Sequence, residues 1–157
     1  VALPRVEIIE AKVEERLNEM SISNGYNYDY ANNGTGKDLR FLENIEQRNE
    51  FPVVFCPGGN EGPPSNETAP VSRDARRIEI DVFGYAKSKD HGTQLNKIRQ
   101  DVERTLIRAA DAVPLGINGV TTINLVTVLK DQIPDNPDLE MIILTFAAEY
   151  RYTRGDP

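Results

Sequence analysis

A strand followed at once by a helix, from Arg76 to Ala110, limits what this chain can become more than any other stretch. In the first half, Ile78, Ile80 and Val82 alternate with Arg77, Glu79 and Asp81, the period-two signature of a strand with one buried and one polar face. A short turn at Ser88 to Gly92 follows. Beyond it, Leu95, Ile98, Val102 and Leu106 recur at three- and four-residue spacing and form one apolar helical stripe. A strand and a helix with one apolar side each satisfy one another when the helix folds back onto the sheet.

A chain of 157 residues supports one domain that buries about 68 to 70% of its unfolded surface. Asp and Glu number 25 against 18 Lys and Arg. That excess repels bare nucleic acid and anionic lipid and argues against a DNA-wrapping protein. Cys56 is the single cysteine, so no internal disulfide framework exists and a reducing cytosol suits the chain. No apolar run approaches the roughly 18 residues of a membrane span, and the N-terminal residues show no signal-peptide core. The expectation is a soluble protein made in a cytoplasm, with no membrane partner.

The first predicted element is a helix from Pro4 to Met20, with Val6, Ile9, Val13, Leu17 and Met20 inward and Glu7, Glu10, Glu14 and Glu15 outward. From Ser21 to Glu50 the chain is polar, with weak strand signals at Tyr26 to Tyr30 and Leu39 to Leu42 that suggest a loose hairpin around Asn32 to Gly36. Phe51 to Pro57 is a firmer, β-prone run. Gly58 to Asp74 is rich in Gly, Pro, Asn and Ser and lacks apolar periodicity, which predicts a long flexible loop that is either functional or disordered until bound. After the helix, Pro114 enforces a break. Val120 to Lys130 reads as a strand partly covered on both faces, Asp131 to Asp138 as an acidic turn, and Leu139 to Tyr152 as the longest strand. The last two strands pair as a hairpin. The order implies a single α+β domain over residues 1–157, with a mainly antiparallel sheet and two helices packed on one face.

Candidate chemistry is sparse. Asn33 to Asp38 has the look of a phosphate-binding loop, but Ala31 and Asp38 stand where that loop needs a Gly and a magnesium-holding Ser or Thr. His91, the only histidine, lies between Asp90 and Gly92 and reads as a turn residue before a helix. Glu79 and Asp81 share a strand face about 7 Å apart by strand rise, without the further ligand a metal or acid/base site needs. The sequons at Asn33 and Asn66 and the tripeptide Arg154-Gly155-Asp156 are short matches of the kind chance supplies. Cys56 reads as a packed small hydrophobe. No enzyme active site, cofactor site or metal site emerges.

The order of local patterns does carry a resemblance. An amphipathic N-terminal helix, then Asn24-Gly25-Tyr26-Asn27-Tyr28-Asp29, then Glu50-Phe51-Pro52-Val53-Val54-Phe55 running into a Gly-rich loop, resembles the tail terminator (tail completion) proteins of long-tailed bacteriophages. The likeness continues through Ile78 to Ala86, the helix with Arg99-Gln100-Asp101-Val102 at its centre, and a closing hairpin that ends in Tyr150, Tyr152 and Asp156-Pro157. It is weakest over Ala31 to Gln47.

The resemblance implies a structural virion protein in the tail and neck region, assembled in the host cytoplasm. Such proteins form a homohexameric ring at the head-proximal end of the tail tube and stop its polymerisation. They also present a docking surface to the head-completion or connector protein, and viral DNA passes through the ring without specific binding. Under that implication the expected interface residues are Arg77, Glu79 and Asp81 on the strand, Gly58, Gly59 and Glu61 at the start of the long loop, and Asp131, Asp135 and Asp138 in the acidic turn. The alternatives are another neck or tail component of related fold, such as a head-completion or tube-like protein, or a small enzyme or ligand-binding domain using Glu79, Asp81 and His91.

Overall fold

The computed structural model describes residues 5–30, 51–57, 59–62, 75–87, 91–133 and 138–151. Its centre is the strand β3 (Ala75–Lys87), which pairs with partners on both sides. On one side β1 (Val53–Phe55) and β2 (Gly59–Gly62) lie end to end along it, with β2 opposite Arg77 to Ile80 and β1 opposite Phe83 to Tyr85. On the other side β5 (Leu139–Arg151) pairs with β3 over its whole length, and β4 (Val120–Gln132) pairs with β5 at the margin. Every pairing is antiparallel. With α1 (Arg5–Asn18) and α2 (His91–Leu106), this is the α+β architecture that the alternating patterns predict.

The period-two rule explains where the core sits. Ile78, Ile80, Val82 and Ala86 of β3 fall on one face with Ile142, Leu144, Phe146 and Ala148 of β5. Ile9, Val13 and Leu17 of α1 and Leu95, Ile98, Val102 and Leu106 of α2 complete one buried cluster with them. Full burial of each such side chain contributes about 1.5–3 kcal/mol, so this layer dominates the fold. Gly84 lets α2 approach the sheet: a Cβ there would stand 2.7 Å from Ile98 Cγ2 and 3.0 Å from Ile142 Cγ2.

The far face of the sheet is divided. Its upper half carries the expected polar row of Arg77, Glu79 and Asp81. Farther along β3 the same face turns apolar, where Val53, Phe55, Tyr85 and Leu139 form a second buried cluster with Phe51, Phe83, Ile133 and Met141 against it. Burial pushes the Tyr85 phenol up to about 12.

Several boundaries differ from expectation for identifiable reasons. The segment Tyr26 to Tyr30 forms no strand; it follows a 3-10 turn at Ile22–Asn24 and packs onto α2, with Tyr30 fully buried. The rest of the loose hairpin lies outside the described residues. A strand, β2, occupies the beginning of the stretch expected as loop; Gly-Asn-Glu-Gly has no side-chain periodicity, and its strand character comes from backbone pairing with β3. The helix α2 stops at Leu106, before Ala110, and a 3-10 turn at Pro114–Gly116 leads to β4. In that turn Leu115 holds φ 58° while its side chain is fully buried. The left-handed region costs a non-glycine residue about 1–2 kcal/mol, which burial of the leucine offsets. The largest departure is β4: among the described residues it lies at the margin of the sheet and is mostly exposed, where a strand partly covered on both faces was expected.

Candidate subunit interface

The expected interface residues fall into three places. On β3, Arg77 Nη2 pairs with Glu79 Oε1 at 2.9 Å, and Asp81 Oδ1 accepts a 2.6 Å hydrogen bond from Thr145 Oγ1 of β5. The two carboxylates on that face are therefore engaged by different groups and do not converge as a metal or acid/base pair. Arg77 is largely buried and its Nε has no hydrogen-bond acceptor, an uncommon state for a guanidinium nitrogen. Gly59 and Glu61 sit on β2, opposite Ile80 and Ile78. Asp131 lies near the end of β4 opposite Met141, exposed, with its Oδ1 accepting from the Gln132 amide at 2.8 Å, and Asp138 is exposed just before β5. Gly58 and Asp135 lie outside the described residues. Among the described residues no group of three or more His, Cys, Asp or Glu could hold a metal ion, and no helix is long and apolar enough to cross a membrane.

The polar flank of α2 is more occupied than its sequence implies. Arg99 pairs with Glu103 at 2.8 Å, one turn on. Arg104 donates to the Gly25 carbonyl at 2.8 Å and stacks over the Tyr26 ring, 4.6 Å from its centroid. Arg108 bonds Glu19 at 2.6 Å, which raises its pKa further. Fully buried Asp101 accepts from Tyr30 Oη at 2.6 Å, from the Asn27 amide at 3.1 Å and from Asn27 Nδ2 at 2.8 Å. Burial, reinforced by that bond to Asp101, pushes the Tyr30 phenol far above its ordinary value.

At the end of α2 the buried Arg16 grips Asp111 through two bonds of 2.7 and 2.9 Å and also donates to the Thr105 carbonyl. This guanidinium holds the Asp111 carboxyl below the usual carboxylate range. These contacts fasten α1 and the Tyr26 to Tyr30 segment to α2, so Arg16, Arg104 and Arg108 serve the fold. Lys97 and Arg99 are exposed, and Lys97 lies 5.8 Å from the Tyr28 ring centroid.

The surface that sequence reasoning missed is the β4 margin. Among the described residues, the large hydrophobics that remain exposed are Ile22, Ile107 (41%), Val126 (46%) and Leu129 (54%). The last two lie on β4, and Ile107 lines a cleft of about 270 Å³ with Leu106, Pro114, Thr122, Ile123 and Asn124 where the end of α2 meets β4. Val126 stands at an irregularity between the Leu125 and Thr127 pairings. A bulge of this kind twists a strand and re-aims its side chains. The signal was present in Val120 to Lys130 as β-prone apolar residues, but nothing in the sequence says which strand lies at the margin.

No protein-family profile matches the sequence, and none of the curated proteins matches it. Among solved structures, a chain of the virion of the native gene transfer agent (GTA) particle superimposes with a TM-score of 0.60. The likeness covers 96% of this chain and 100% of that one at 12% identity. At that identity what is shared is the fold, and it is shared over essentially the entire chain.

Proposed function

We propose that the chain is a structural component of a phage-type virion and, within that class, a tail terminator. It would form a hexameric ring that caps the head-proximal end of the tail tube, halts tube growth and offers the docking surface for the head-completion or connector protein. The observation that carries this reading is the whole-length fold likeness to a chain of a virion particle. The sequence supports it independently through the resemblance in element order from the first helix to the closing hairpin.

Physical features agree with a passive conduit component. The formal net charge of −7 disfavours retention of DNA passing through a channel. On the β3 face Glu79 pairs with Arg77 and Asp81 with Thr145, so the two carboxylates do not converge on one site, and the reading is non-enzymatic. Removing the protein from an assembling phage tests the role: tubes of irregular, excessive length without attached heads are expected. Tubes of normal length that join heads normally would rule out the terminator role, and failure to form any tube would point instead to a tube protein of related fold.

A further inference from the structure

The two margins of the sheet differ in what the chain itself leaves open. Among the described residues no strand pairs with the outer side of β4, and Val126 and Leu129 on it are about half exposed. At the other margin Pro52, Val53, Val54, Phe55 and Cys56 are all buried within the single chain. An exposed strand edge is a template for pairing with another strand. In a second copy the open edge is again β4, so copies that join by strands meet through the same patch, about a two-fold axis.

That symmetry restricts the register. With the axis perpendicular to the sheet, the two β4 strands are antiparallel, the helices of both copies lie on one side, and directly opposed residues share a face. Ile123 and Leu125 face the helices, opposite Ala148 and Phe146 of β5. The irregularity between Leu125 and Thr127 shifts the alternation, so Val128 and Lys130, opposite Leu144 and Ile142, face the same way. Helix-facing residues therefore match when the axis passes between Val126 and Thr127. Leu125 then meets Val128 of the other copy, and Asn124 meets Leu129 on the far face. Leu125 and Val128 are both only partly buried against the core of the single chain, and each covers the other in this register.

The flank of α2 beside β4 is self-complementary about the same axis. Lys130 Nζ donates to Asn96 Oδ1 at 2.6 Å, and Ile107 shares a cleft with Thr122, Ile123 and Asn124. So α2 runs antiparallel to β4, and Arg99 and Glu103 lie along the middle of that strand, one on each side of the axis. The two-fold sets Arg99 of each copy toward Glu103 of the other. Within one chain the pair uses Arg99 Nε and Glu103 Oε1, and a guanidinium has further donors to share.

We propose that in the free protein β4 pairs antiparallel with β4 of a second copy of this chain, centred between Val126 and Thr127, with Arg99 and Glu103 exchanging charge across the axis. An isologous contact closes at two copies, so this dimer belongs to the chain before assembly and does not depend on the role proposed above. Thr121 to Gln132 spans roughly 40 Å at strand rise, and a sheet edge is about 10 Å thick. The contact buries on the order of 400 Å² per partner, at the low end of specific interfaces, which makes the dimer reversible.

Single cysteines on β4 test the register, because opposed strands bring Cα atoms to about 4.5–5.5 Å, within disulfide reach. Asn124→Cys and Leu129→Cys variants are oxidised mildly, each alone and as an equimolar mixture, in a Cys56→Ala background. The expected result is a covalent dimer from the mixture and none from either variant alone, since like positions stand roughly 17 Å apart along the strands. Sedimentation of the native chain should show a dimer whose population rises with concentration. Arg99→Glu should weaken it by at least about threefold, and Arg99→Glu combined with Glu103→Arg should restore it, with circular dichroism unchanged in both.

A chain that stays monomeric up to about 1 mM overturns the proposal. So does a dimer that gives no cross-link in the mixture, or equal cross-linking from either variant alone. These outcomes leave the virion role standing, because they concern the free chain only.

Discussion

β4 and β5 are two strands of one hairpin, each 13 residues long and each largely apolar, β4 through Val, Leu and Thr and β5 through Ile, Leu, Ala and aromatics, yet they live in different surroundings. In β5 Ile142, Leu144, Phe146 and Ala148 are fully buried beneath the helices. In β4 Val126 and Leu129 stand about half exposed. The difference is position: β5 is paired on both sides and roofed by α2, while among the described residues β4 is paired on one side only. Apolar content alone therefore does not mark the core. In β5 it holds the subunit together; in β4 much of it stays at the surface of the described structure.

That contrast orders the expected effects of substitution. Phe146→Ala should destabilise the isolated subunit by about 3–5 kcal/mol, the range for deleting a large buried ring, read by chemical denaturation. A loss under about 1 kcal/mol would mean that β5 is not the core strand described. Next, Asp111→Ala leaves the buried Arg16 guanidinium without its carboxylate and should cost about 3 kcal/mol.

The pH dependence of that pair has a definite sign. The folded Asp111 carboxyl is held below its ordinary value by Arg16, so the stabilisation is full above an unfolded pKa of about 3.9. It is lost as pH falls through the lower folded value. The stability gap between the native chain and Asp111→Asn should therefore be constant near neutrality and narrow at strongly acidic pH. A gap that widens on acidification contradicts the assigned ion pair.

Gly84→Ala probes packing between α2 and the sheet. A Cβ 2.7 Å from Ile98 Cγ2 forces the helix outward, at about 1–3 kcal/mol, measured as a lowered denaturation midpoint. The smallest effect belongs to the other side of the comparison: Leu129→Ser on β4 should change subunit stability by no more than about 0.5 kcal/mol. A loss as large as that of Phe146→Ala would erase the distinction between the two strands.

Much of the fold was legible because its periodicities are strong. Ile78, Ile80 and Val82 mark β3, the Leu95 to Leu106 stripe marks α2, and Ile142 to Ala148 marks the buried face of β5. Each element is long enough for the pattern to outweigh local noise. β2 was hidden because Gly59 to Gly62 contributes backbone hydrogen bonds and no pattern. Tyr26 to Tyr30 misled because aromatic residues favour strands, whereas here Tyr30 is held by its bond to Asp101 and by burial against α2.

The candidate site was legible only in part. Arg77, Glu79 and Asp81 do share one face, but Arg77 and Glu79 neutralise each other and Asp81 bonds Thr145. The β4 margin depends on strand order, a nonlocal property that no spacing in Val120 to Gln132 encodes. The same is true of Arg16 and Asp111, far apart in sequence and joined only when α1 and α2 pack together.

Position in the particle tests the central reading most directly. Cryo-electron microscopy of intact virions should place the chain as one ring of six copies at the head-proximal end of the tail tube, between tube and connector. Density for the chain repeated along the tube, or absent from the tail and neck, would contradict it.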